Sequence, residues 1–311
     1  MDSRLRTACE ERLALLNLPH RFGTGQLCDA VAAWCGKPLI PRPLDTTGFV
    51  DAPSGVSIET DEAFFLFYER GTSRLHRLHI LAHGISHVLC GQIGSLPWED
   101  GLVPAPRLQP EFGACISGRT RYATADERGA EMMATLIRQR IYRGRQFPTW
   151  RPTVTEDCWE RRSLTLLDPL WQDLTRVLPH IALDAGADDE LDFLLHRKVI
   201  EINDGILALR PHRSRAVQHA AAEAVAARQL AGTAEGDAII EAAILAAALH
   251  AAHSESKPDF DPAPPAPGTR DRAGDLRTET TWLRQVSDAY TTDPIVHSVR
   301  LMAAIHAPAG K

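Results

Sequence analysis

The sequence predicts an α+β protein in two parts, a small sheet feeding a histidine-bearing helix and then an all-α C-terminal region. Three observations carry this. Ser57-Ile58-Glu59 and Ala63-Phe64-Phe65-Leu66-Phe67-Tyr68 read as two short strands, the second apolar enough to be buried. They run directly into Leu75, Leu78, Leu81, Ile85 and Leu89, spaced by three and four as one face of a helix requires. Beyond Gln146-Phe147-Pro148-Thr149-Trp150-Arg151-Pro152 the composition becomes helical and Ala-rich.

The elements follow in order. Helices are expected at about 2–16 and 24–35, then a turn at Gly36-Lys37-Pro38 and a strand at Leu39-Ile40-Pro41. Thr72 and Ser73 stand where the N-cap of the His-bearing helix is needed, and Cys90-Gly91 stands at its end. A long Pro- and Gly-bearing stretch, Ser95 to Arg121 with Trp98 in it, separates this helix from a second one running to about Arg143. In the C-terminal part Leu164, Leu167, Leu170, Trp171, Leu174 and Leu178 form one helix face. Leu191 to Ile202 forms the next helix, with Asn203-Asp204-Gly205 as its stop. Ala-dominated helices are expected at about 212–231 and 235–252, and a last helical pair at about 276–290 and 293–306, where Trp282 and Val286 dock. The domain reading is 1–147, a sheet-and-helix domain; 148–253, a helical interaction domain; 254–275, a Ser-, Pro-, Asp- and Gly-rich disordered linker; and 276–306, helices packing on the helical domain.

The chemistry concentrates in one helix. His76, His79, His83 and His87 run along it, and His83 and His87, four apart, present two imidazoles that can grip one metal ion. In the H-E-x-x-H motif of zinc peptidases a Glu follows the first His, polarises the metal-bound water and carries its proton. Here that position is Gly84, which does neither. A strand pair entering a His-bearing helix is the usual approach to a zincin site, so the first domain reads as zincin-like. Catalytic zinc takes three protein ligands and a water. The third ligand is sought in Asp126-Glu127-Arg128-Gly129-Ala130-Glu131-Met132-Met133-Ala134. Glu127 can bind the metal while Glu131, one turn on, receives an N–H from a ligand His. The competing reading makes Glu127 part of a capping box with Thr124, and Glu131 a solvated side chain. A positioned general base contributes about 10²–10⁴-fold to rate. His79, Glu62 and Glu131 are the candidates to replace it.

These residues carry a family resemblance. The segment from about Leu15 to Ile141 resembles the ImmA/IrrE family of metallopeptidase-like proteins, in particular the ParH-like proteins of actinobacterial toxin–antitoxin-type loci. It does so through Phe67-Tyr68-Glu69, Leu75-His76, His79-Ile80-Leu81, His83 and His87, Leu89-Cys90-Gly91, and the Glu127, Ala130, Glu131, Ala134 series. The resemblance implies a metal ion, expected to be one zinc, held by His83, His87 and Glu127, and the reading of the residues themselves places His79 and Glu131 behind them. It also implies a helix-turn-helix transcriptional regulator as substrate or partner. The chain departs from the family at Gly84, where the catalytic Glu is expected, at Glu131 in place of Asn or Asp, and at Met133 in place of Phe. Residues 160–305 resemble the cytoplasmic domain that follows the membrane helices of certain actinobacterial transporter-like proteins. The matching words are Leu167-Asp168-Pro169-Leu170-Trp171, Arg197-Lys198-Val199-Ile200-Glu201-Ile202, Asp204-Gly205, Leu209-Arg210-Pro211 and Trp282-Leu283. That resemblance implies a partner-binding module and no reaction. The Arg197, Lys198, Glu201 and Asp204 cluster reads as a solvated helix face, and His196, His212, His219, His250 and His253 read as solvated.

Composition frames the site. The chain has 311 residues, 44% hydrophobic and 24% charged, with formal net charge −6, which argues against general nucleic-acid binding. No run of about 18 uninterrupted apolar residues predicts a membrane span, and the N-terminus lacks the apolar core of a signal peptide. Six cysteines without C-x-x-C spacing read as reduced thiols in a cytoplasm. Cys90 reads as a buried, inert thiol, with a role as ligand or redox sensor as the alternative. The expected function is that of a metal-binding, metallopeptidase-derived regulatory protein, hydrolytically impaired at Gly84. An active zinc endopeptidase cleaving a helix-turn-helix regulator, and a metal-free helical interaction protein, are the alternatives.

Overall fold

The computed structural model describes residues 3–46, 54–92, 124–146, 154–182, 190–254, 262–264 and 274–305. Trp98, Cys115 and the Ser95–Arg121 stretch lie outside them, as do the 147–153 boundary and the side chain of Thr124. The described residues are mostly helical with one small three-stranded sheet, an α+β arrangement. It divides into two compact units: Met1–Thr47, Ala52–Thr153 and Leu183–His196 form the first, and Gly48–Asp51, Val154–Ala182 and Arg197–Lys311 the second.

The first unit begins with helices α1 (Ser3–Ala14) and α2 (Thr24–Cys35). Gly36 then takes the left-handed conformation that ends α2 and opens β1 (Leu39–Leu44). β2 (Gly55–Glu59) and β3 (Phe64–Glu69) complete the sheet in the order β1-β3-β2. β3 is central, parallel to β1 and antiparallel to β2, with Ser57 opposite Leu66 and Ile58 opposite Phe65. Two-residue alternation puts Gly55, Ser57 and Leu66 on one face of the sheet. That face meets α3 (Arg74–Cys90). Ser73 caps α3 by accepting the His76 N–H at 3.2 Å, and Gly91 closes it at φ 65°, a left-handed turn that a side chain would strain.

α4 (Thr124–Gln146) lies against α3, and the unit's core runs through Leu13, Val31, Leu66, Ile85, Leu89, Met133 and Ile137, all buried. The segment Leu183–His196 joins this unit through its last residues. Arg143 on α4 donates to the buried Asp192 carboxylate at 2.8 Å, and the next residue, Phe193, is buried in the same core. His196, one turn further on, is carried in with them.

The second unit is helical throughout its described residues: α5 (Val154–Val177), α6 (Leu191–Ala208, from Arg197 on), α7 (Arg215–Ala227), α8 (Ala234–His253), α9 (Leu276–Thr292) and α10 (Pro294–Ile305). α8 is its core helix, packed by α5, α7, α9 and α10. By length and composition α8 is apolar enough to cross a membrane, but 61% of its apolar window is buried inside the unit. Trp282 and Val286 are buried, as docking residues should be.

Three readings from the sequence change here. α6 does not stop at Asn203-Asp204-Gly205 but continues to Ala208. The Asn203 amide bonds back to the Val199 carbonyl at 2.9 Å, and a Cβ on Gly205 would stand 2.9 Å from Leu174 Cδ2. Gly205 is therefore a close-approach position between α5 and α6, and burial outweighs its low helix propensity. The Arg197–Glu201 face is not solvated either. Both residues are buried, Arg197 donates to Glu201 at 2.8 Å, and the Trp171 indole N–H donates to the same carboxylate at 2.7 Å. Finally, part of the stretch expected as linker is fastened. Ala263 is buried, its N–H donates to the Arg213 carbonyl at 2.9 Å, and its own carbonyl accepts from Arg213 Nε at 3.1 Å.

Candidate metal centre

α3 and α4 bring the site together. Residues 79, 83 and 87 repeat by four on α3 and so share one side of it, and Glu127 and Glu131 do the same on α4. His83 and His87 face each other, Nε2 to Nε2 at 2.9 Å, with ring centroids 4.7 Å apart. Glu127 reaches both: Oε1 is 3.1 Å from His83 Nε2 and Oε2 is 3.6 Å from His87 Nε2. The three edges, 2.9, 3.1 and 3.6 Å, bracket the separation a single ion imposes. Ligands about 2.0–2.1 Å from a zinc ion at tetrahedral angles stand about 3.3 Å apart. His83, His87 and Glu127 form a group that can hold a metal ion.

Glu131 sits behind this triangle. Its Oε2 accepts from His83 Nδ1 at 2.6 Å and its Oε1 from His79 Nε2 at 2.7 Å. A carboxylate on Nδ1 fixes the imidazole tautomer so that Nε2 keeps its lone pair for a metal. Glu131 is largely buried and holds two imidazoles, so it is neither a solvated surface group nor a free base. His79, His83 and Glu131 also make up a second compact His/Glu group, sharing His83 with the first. His87 Nδ1 meets Gln92 Oε1 at 3.2 Å, and Gln92 Nε2 donates to Asp126 at 2.9 Å, tying the end of α3 to the start of α4.

The electrostatics show competition for His83. Burial alone would lower its pKa, but the Glu127 and Glu131 carboxylates outweigh burial and raise it to about 10. Burial and the neighbouring His83 push His87 down to about 4. Burial also works to raise the Glu127 pKa, but His83 and His87 hold it below the usual carboxylate value. Without a metal, the cluster therefore carries a shared proton on His83. A cation would take the proton's place between the same donors.

The general-base position is filled by packing. Gly84 is buried, and a Cβ there would lie 2.8 Å from Ser57 Oγ and 3.4 Å from Leu66 Cδ2. Glu62, one of the substitute bases considered, is exposed in the β2–β3 turn. Cys90 is half-buried, and burial raises its thiol pKa, which disfavours the thiolate a metal would need.

One residue escaped the sequence reading. His196 is buried, not solvated, with its ring 5.8 Å from the His79 ring. The available signal was Asp192-Phe193, one turn earlier, an acidic and aromatic pair that anchors the start of α6 in the first unit. His219 and His253 are exposed, as expected, whereas His212 and His250 are half-buried. His76 is buried and pairs through Nδ1 with Thr72 Oγ1 at 2.8 Å, so it braces the start of α3.

Residues 158–293, from within α5 to the residue after α9, are similar to a family of unknown function (DUF6545), and the match leaves out His79, His83, His87, Glu127 and Glu131. No curated protein and no solved structure matches the chain.

Proposed function

We propose that this chain is a metal-binding regulatory protein derived from a zinc metallopeptidase of the ImmA/IrrE type, with a zincin-like first domain and an impaired hydrolytic site. The observation that carries it is the convergence of His83 Nε2, His87 Nε2 and the Glu127 carboxylate within 3.6 Å of one another. Donor type supports zinc, since two imidazoles and one carboxylate form a zinc-peptidase ligand set. Glu131 orients His83, and His79 holds Glu131 in place. A bound zinc ion would supply Lewis-acid polarisation at its open position. The chain's own residues supply no carboxylate at position 84 to take a proton there, and Glu131 is already engaged by two histidines.

The role that follows is recognition without efficient cleavage, with a helix-turn-helix regulator as partner by resemblance, and a cytoplasmic setting by the cysteine pattern. The deciding experiment is elemental analysis of the purified full chain, with His83→Ala as control. About one zinc per chain, absent from the variant, is the expected result. No metal in the wild-type protein after zinc is supplied would refute the reading and leave a metal-free interaction protein.

A further inference from the structure

The contact between β2 and α3 is built on two glycines facing opposite ways. On the strand, a Cβ at Gly55 would stand 2.4 Å from Ile80 Cγ2 and 3.2 Å from the Phe67 carbonyl. On the helix, a Cβ at Gly84 would stand 2.8 Å from Ser57 Oγ. Residues 55 and 57 are about 6.7 Å apart along a strand, and residues 80 and 84 about 6.0 Å along a helix. The two spacings nearly coincide, so the strand lies along the helix with a side chain from each element entering the gap left by the other's glycine. Ile80 fills the space at Gly55, and Ser57 fills the space at Gly84. Ser57 is half-buried and Gly84 buried, so the contact is closed on the helix side.

We infer that Ser57 and Gly84 are a reciprocal packing pair that keeps the metal-binding helix without a general base. The missing carboxylate is then no isolated loss. Position 84 is reserved for the Ser57 hydroxyl, and a Glu side chain enters only if that hydroxyl gives way. Ser57 thereby becomes a determinant of hydrolytic competence although it is remote in sequence from the histidines. This rests on the reading of α3 as the helix of a disarmed metallopeptidase.

The test is a double-mutant cycle on the full chain: Gly84→Ala, Ser57→Ala, and both together, read by thermal melting without metal. Helix propensity alone predicts that Gly84→Ala raises the melting temperature. Packing against Ser57 predicts instead a fall of about 3 °C, more than half of it recovered in the Ser57→Ala background. Gly84→Ala melting at or above wild type, or an equal loss in both backgrounds, overturns the pair. A Gly84→Glu variant that melts with wild type and cleaves casein on addition of zinc also overturns it. Zinc content of the same proteins separates the two readings. Wild type without zinc refutes the metal site, whereas zinc retained with an additive cycle refutes only the role of Ser57.

Discussion

Both units bury charged and polar side chains, but they do it to different ends. In the second unit Arg213, 2% exposed, is bidentate to Glu241, 1% exposed, with bonds of 2.7 and 2.8 Å. Its Nε also donates to the Ala263 carbonyl and its Nη2 to the Pro264 carbonyl. Each of the three guanidinium nitrogens has an acceptor, which makes it a structural joint. In the first unit the half-buried His83, the buried His87 and the exposed Glu127 turn their donor atoms to one shared volume. That arrangement is expensive unless a proton or a cation sits between them. A satisfied ion pair marks scaffolding; acceptors converging on a single point mark a site.

The comparison can be broken from either side. Arg213→Ala should cost the most, about 3–5 kcal/mol, because it takes the guanidinium from the buried Glu241 carboxylate. Denaturant melts should show the loss while zinc content stays at its wild-type level, and a loss of zinc would blur the distinction between joint and site. His87→Ala should take zinc from about one per chain to none with little change in the metal-free melting temperature. A large fall in that temperature would instead assign His87 to the scaffold. Glu131→Gln keeps the shape but weakens the acceptor behind His83, and zinc affinity should fall about 10–100-fold in chelator competition. An unchanged affinity would make Glu131 a bystander.

Acidity tests the shared proton. His83, raised to about 10, adds stability to the metal-free protein below its ordinary value near 6.5, and that contribution is lost as pH rises toward 10. His87, lowered to about 4, works the other way: stability falls as pH drops from about 6.5 toward 4. The site's contribution to the metal-free melting temperature should therefore peak near pH 6.5, and its fall above that pH should disappear in His83→Ala. Zinc binding at pH 7.5 should release about one proton, measurable by calorimetry in buffers of different ionisation enthalpy. The smallest effect expected is Lys198→Ala. Its ammonium pairs with Asp168 and lies 4.8 Å from the centre of the Trp171 ring, in a partly exposed setting. The loss should be about 1 kcal/mol or less.

Local pattern made much of this legible. Ser73 and Gly91 bound α3 as the cap signals indicate, and the apolar repeat through Leu75, Leu81, Ile85 and Leu89 is buried. The His83–His87 spacing put two imidazoles on one face because helix periodicity is a property of the chain alone. Glu127 was ambiguous, since a ligand and a helix-capping carboxylate look alike until α3 stands opposite. His196 was misread, and so were the Arg197–Glu201 face and the stop at Gly205. In each case the outcome depends on which element packs there, and only for His196 did neighbouring residues, Asp192 and Phe193, carry a signal of it.

The sequence by itself determined the helices, the strands, the histidine spacing and the absence of a carboxylate at position 84, all of which follow from backbone geometry and residue type. Only the tertiary structure decided that β1 and β3 run parallel, that Glu131 joins His79 to His83, that Ala263 is fastened to Arg213, and that Ser57 occupies the space at Gly84. The reason is physical. Those facts are contacts between residues 25 to 52 positions apart, and their energies come from excluded volume and desolvation, which exist only once the elements have met.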